Sequence, residues 1–87
     1  MKKVIFPNSA LVAKKILVNA NLTQEQLGEM LGYTRAQFVS NNARGLSAFP
    51  PKHWRRLASI GGIDVEELIR AYLEDKEKQV REVVSEG

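Results

Sequence analysis

Residues 22–45, LTQEQLGEMLGYTRAQFVSNNARG, constrain the fold more than any other stretch of the chain. Thr23 is followed three residues later by Gln26, the reciprocal capping-box spacing that opens a helix. Leu27, Met30 and Leu31 recur at helical spacing and are expected to face inward. Gly28 has no side chain, so a second helix is expected to pass closely there. Gly32 ends the first of these helices, in the left-handed conformation that glycine adopts without steric cost. Tyr33 follows as an apolar linchpin after the turn, and Thr34 is expected to cap a further helix from Arg35 to about Ala43. Two short helices joined by one glycine turn make a helix-turn-helix.

The second of these helices has an unusual polar face. Ala36 and Val39 are placed inward, with Phe38 nearby, which leaves Arg35, Gln37, Ser40, Asn41 and Arg44 outward. An ordinary solvated helix favours Glu and Lys on that side. This one has no acid and offers guanidinium, amide and hydroxyl groups, the groups that read base edges and phosphates in a DNA major groove. A polar surface helix without a ligand is the alternative.

Helices account for the remaining segments. A first helix is expected from Ser9 to about Asn19, capped by Asn8 or Ser9 after Pro7, with Val12, Ala13, Ile16, Leu17 and, at its end, Ala20 as its apolar stripe. Gly45 stops the third helix, and Leu46 and Phe49 read as apolar plugs in the loop that follows. A fourth helix is expected from Pro50-Pro51 to about Ile60, burying Trp54, Leu57, Ala58 and Ile60, with Gly61-Gly62 as its end. Asp64 caps a fifth, with Glu66 and Glu67 favourably placed in its first turn and Val65, Leu68, Ile69 and Tyr72 as its core stripe. That helix can continue through Val80, Val83 and Val84, supported by Glu74–Lys78 and Glu77–Arg81 spacings.

The expected architecture is therefore all-α: one compact five-helix domain spanning 1–87, its core about 8–73, and a helical tail at 74–87. At 87 residues the chain has room for one domain. It has no Cys and a single histidine, His53, so neither a disulfide framework nor a metal cluster is expected. No catalytic residues, cofactor or small-molecule substrate are evident, and no enzyme is expected, because no nucleophile–base pair or phosphate-cradling glycine loop is present. The start, MKKVIF, imitates a signal peptide, but Pro7, Asn8, Lys14 and Lys15 interrupt it, and no apolar run is long enough to span a membrane. A cytoplasmic, nucleoid-associated location is expected. Net charge is +3, unevenly distributed. Through Ile60, nine bases (Lys2 and Lys3 among them) oppose only Glu25 and Glu29, a balance of +7. After Ile60, four bases face eight acids, a balance of −4. A basic body suits a polyanionic partner.

The residues LTQEQLGEMLG and IDVEELI resemble the phage repressor/Cro-like (XRE-class) helix-turn-helix regulators, over about residues 9–72. GYTRAQFVSNNARGLSAFPP resembles a subgroup of that class with one extra residue after the turn. The resemblance implies a five-helix, repressor-like domain that binds operator DNA as a homodimer and regulates transcription, most often as a repressor. It implies a phosphate contact for Gln24. Thr34 is expected to combine capping with a phosphate contact. Arg35 and Gln37 are expected at base edges, Arg toward guanine and Gln toward adenine, with Ser40 and Asn41 next along the face. Arg44, Ser47 and Lys52 are expected to hold the backbone. Arg35 has a second candidate partner in Glu29. The partner is expected to be double-stranded DNA with a palindromic site, since one short helix buries too little for tight specific binding. Val80, Val83 and Val84 are the candidate dimer contact, against the alternative of a frayed, solvated tail.

Two positions depart from the class. Asn42 stands where Trp or Ile is common, and Ala43 where Glu is common. One expectation is that the Trp54 indole fills the space beside Asn42; the other is that Asn42 turns outward. The departures keep open a rival reading, an antitoxin-like or accessory protein-interaction module on the same fold.

Overall fold

The structure, a computed structural model, describes residues 4–86. Lys2 and Lys3 of the basic half lie outside them. Among the described residues five helices run in the order α1 (Pro7–Ala20), α2 (Gln24–Met30), α3 (Gln37–Ala43), α4 (Trp54–Gly61) and α5 (Val65–Glu86), with a 3-10 turn at Pro51–His53 before α4. The fold is all-α. Helix α1 is the hub: it packs on α5, α4 and α3, while α2 packs on α3 and α4 on α5. Ile16, Leu27, Val39 and Leu57 are completely buried at the centre, with Ala13, Phe49, Ala58 and Leu68 around them.

Local chemistry explains most helix ends. The Thr23 hydroxyl accepts from the Gln26 amide at 3.1 Å and the Gln26 side chain accepts from the Thr23 amide at 2.9 Å, so the capping box is complete. Asp64 accepts from the Glu66 amide at the start of α5. Asn21, Gly32 and Gly62 all adopt positive φ where α1, α2 and α4 stop.

The start of α1 is organised differently from the expectation. The helix begins at Pro7 rather than Ser9, and neither Asn8 nor Ser9 caps it, because both lie inside its first turn. Pro7 has no amide to satisfy; the next two free amides go to Asp75 of α5. Asn8 donates to Asp75 Oδ1 through its backbone and its side chain, both at 3.0 Å. Ser9 donates to Oδ2 through its backbone at 2.8 Å and its hydroxyl at 2.7 Å. The carboxylate has no solvent exposure. It replaces the missing local cap and lies at the positive end of the α1 dipole. The first turn of the tail is thus packed against α1. Gln79, a turn further on, donates to the Ile5 carbonyl at 2.7 Å, and Lys76 lies over the Phe6 ring. Beyond it, α5 stays helical to Glu86, with Val80, Val83 and Val84 well exposed and an Arg81–Glu77 ion pair at 2.9 Å.

Met30, expected inside, is 39% exposed at the end of α2. Gly28 is buried, yet a methyl group there would meet Val39 at 3.5 Å, an ordinary contact. The close approach lies instead at the α1–α4 crossing. A methyl group on Gly61 would lie 2.8 Å from Ile16 Cγ1 and 3.1 Å from its Cα, while Asn19 donates to the Gly61 carbonyl. Gly→Ala in a helix ordinarily gains about 0.5–1 kcal/mol. Here the backbone contact decides the sign: Gly61→Ala is expected to lose about 1–3 kcal/mol by overpacking, read as a lower midpoint in urea unfolding.

Candidate nucleic-acid interface

Helix α3 begins at Gln37, not Arg35, so the Thr34 cap is not made; Ala36 occupies that position without a side-chain hydrogen bond. The turn explains the shift. The Tyr33 amide donates to the Gly28 carbonyl at 2.9 Å, folding the chain back over α2, and residues 34–36 are needed to redirect it. Thr34 and Arg35 therefore sit exposed in the connection, ahead of the helix. Arg35 makes no ion pair with Glu29 among the described residues, although both line a recess with Glu25 and Thr34.

Val39, Asn42 and Ala43 face the core from α3. Opposite them, Gln37 and Arg44 are exposed and Ser40 and Asn41 half-exposed, forming an outward strip without an acid. The Gln37 amide donates to the Asn41 side chain at 2.8 Å, one turn along. The pair fixes each other's rotamers and leaves a carbonyl on Gln37 and an NH2 on Asn41 free to meet a partner. Ser47 is half-buried in the loop, Lys52 is exposed on the 3-10 turn, and Gln24 is half-buried in the first turn of α2.

Asn42 points inward and is 5% exposed, so the outward alternative does not hold. Its NH2 donates to the Phe38 carbonyl one turn back, and its Oδ1 has no partner among the described residues. It borders a small cavity shared with Ser9, Phe49, Trp54 and Tyr72. Trp54 is half-buried on the other side of that space, its indole donating to the Phe49 carbonyl at 2.8 Å and its ring 5.4 Å from Tyr72. The indole thus walls the space beside Asn42 without filling it. It sits at the first residue of α4, because Pro51–His53 form the 3-10 turn rather than the start of that helix.

The end of α3 is tied to the amino-terminal segment. Gly45 has φ of 77° and its carbonyl accepts from the Ile5 and Phe6 amides at 3.0 and 2.9 Å. Phe6 in turn stacks on Tyr72 of α5 at 6.0 Å. The helix that presents the polar strip is thereby braced against α5.

Sequence reasoning missed Phe38. Its side chain lies on the flank of the outward strip and is 50% exposed. The ring is held by Tyr33 at 5.1 Å, and Tyr33 meets His53 in a T-shaped contact at 5.4 Å. His53, the only histidine, thus belongs to this stack. Burial, then the nearby Lys52 and Arg56 charges, hold His53 below the ordinary imidazole range, so it joins the stack uncharged at neutral pH. Burial raises the Tyr33 phenol above its ordinary value. The inward period of Val39, Asn42 and Ala43 was the available signal, since it leaves position 38 on a flank.

No group of His, Cys, Asp or Glu suited to a metal occurs among the described residues, and none of their helices is long and apolar enough to cross a membrane. Compared with models of known protein families, with curated proteins and with solved structures, the chain matches none of them.

Proposed function

We propose that this chain is a sequence-specific DNA-binding transcriptional regulator, a repressor of the Cro-like class, that inserts α3 into the major groove of double-stranded DNA. The acid-free outward strip of Gln37, Ser40, Asn41 and Arg44 carries this reading. Arg35 precedes the strip in the turn and Lys52 follows it in the loop, so cations stand at both ends. The working unit is a homodimer on a palindromic site, joined through the exposed Val80, Val83 and Val84 of α5.

Selection from a random duplex pool tests the proposal. The expected result is enrichment of two inverted half-sites spaced by about one helical turn or a multiple of it. Glu25 and Glu29 beside Arg35 favour the rival reading, a protein-interaction module on the same fold, because acids there repel phosphates. A pool that stays random through successive rounds at low salt would overturn the sequence-specific reading; salt-dependent binding to that pool would then mark a non-specific nucleoid binder, and its absence would decide for the rival.

A further inference from the structure

We propose that Phe38 is a specificity-determining residue that reads the C5-methyl group of a thymine; the inference rests on the DNA-binding reading above. A single half-exposed phenyl ring is ordinary on a protein surface, so what marks Phe38 is how it is held. Phe38 is no loose surface residue. Tyr33 backs its ring, and Tyr33 and His53 meet in a T-shaped contact, so three rings from the turn, α3 and the 3-10 turn pack together. The Phe38 carbonyl also accepts from buried Asn42, fixing the backbone from which the ring projects.

The neighbours on α3 define the occupant. Gln37 precedes Phe38 and Asn41 lies on its outward side, one amide hydrogen-bonded to the other, while Arg44 and Lys52 supply positive charge around them. On α3 the ring adjoins amides and a cation, while Glu25 and Glu29 line the recess behind Tyr33, away from the strip. A duplex presents the matching pattern: phosphates for the cations, base-edge donors and acceptors for the amides, and one apolar group in the major groove, the thymine methyl. The Gln37–Asn41 pair and the ring are fixed side by side, so the expected readout is a thymine adjacent to the base pair that the amides contact.

Deoxyuridine tests this atom by atom, because it removes the methyl group and leaves every hydrogen-bonding group of the base in place. In the duplex recovered by selection, each thymine is replaced singly by deoxyuridine and binding of the full chain is measured. One position per half-site is expected to weaken binding about fourfold, the factor for one apolar carbon unit returned to water. Phe38→Ala is expected to bind the thymine duplex more weakly and to be indifferent to deoxyuridine at that position, with its response elsewhere unchanged. Phe38→Leu, which preserves an apolar side chain, is expected to keep part of the discrimination. Selective binding by the native chain that no single deoxyuridine weakens would overturn the assignment while leaving the DNA-binding reading intact. So would a Phe38→Ala chain with undiminished methyl sensitivity. A pool that yields no selected duplex would overturn both.

Discussion

Asp75→Ala is expected to cost about 3 kcal/mol of folding stability, since bonds to a charged acceptor are individually worth about 1.5–3 kcal/mol and the donors left behind remain partly buried. The carboxylate accepts from two backbone amides, one side-chain amide and one hydroxyl, all in the first turn of α1. Removing it leaves those amides without the local cap that Phe6 does not provide. For a domain of this size total stability is on the order of 4–13 kcal/mol, so the loss is a large fraction. Asp75→Asn keeps one acceptor but turns an NH2 toward donors, and is expected to recover only part of the loss. Urea unfolding followed by circular dichroism measures both, with the exposed neighbour Glu74→Ala as a control expected to stay within about 0.5 kcal/mol. A change as small as the control's for Asp75→Ala would show that water caps α1 equally well.

That carboxylate also marks the boundary between what is legible along the chain and what is not. The Thr23–Gln26 box, the glycine turn at Gly32, the stop at Gly62 and the Asp64 cap depend on residues a few positions apart, and all are present as read. The outward positions of Gln37, Ser40, Asn41 and Arg44 follow from helical period alone, and they too lie on the open face. Asp75 and Asn8 are 67 positions apart, and although the spacing from Leu68 and Tyr72 puts Asp75 on the inward side of α5, nothing along the chain names its partners. The late start of α3 was hidden for a related reason. Thr34 is a good cap by type, but the Tyr33–Gly28 hydrogen bond directs the backbone away from a helix until residue 36. The exposure of Met30 at the end of α2 depends on how neighbouring elements cross, which spacing along one helix does not encode, whereas the flank position of Phe38 was within reach of the α3 period. Asn42 was legible as a departure; the hydrogen bond to Phe38 that accommodates it was not.

Raising salt from about 50 to about 200 mM is expected to weaken specific DNA binding on the order of a hundredfold, given about four phosphate-neutralising cations per dimer and a slope near −0.9 for each. The cations are Arg44 and Lys52, both exposed at the end of α3 and in the loop beyond it, once in each protomer. Their roles separate from those of Arg35 and Gln37. Lys52→Ala removes two of the four charges, so the slope of log affinity against log salt is expected to fall by about half and the salt effect to about tenfold, with the preferred sequence unchanged. Arg35→Ala and Gln37→Ala are expected to cost about 1–3 kcal/mol on the selected duplex and to relax preference at one base pair each. The Gln37 variant carries no charge change, so its salt slope stays at the native value. Titrations of the three variants at four salt concentrations, on the selected duplex and on a scrambled one, distinguish these outcomes. If Lys52→Ala leaves the slope untouched, the loop faces away from the backbone and α3 enters the groove at a different tilt. If Gln37→Ala weakens selected and scrambled duplexes equally, the strip holds phosphates and the bases are read elsewhere.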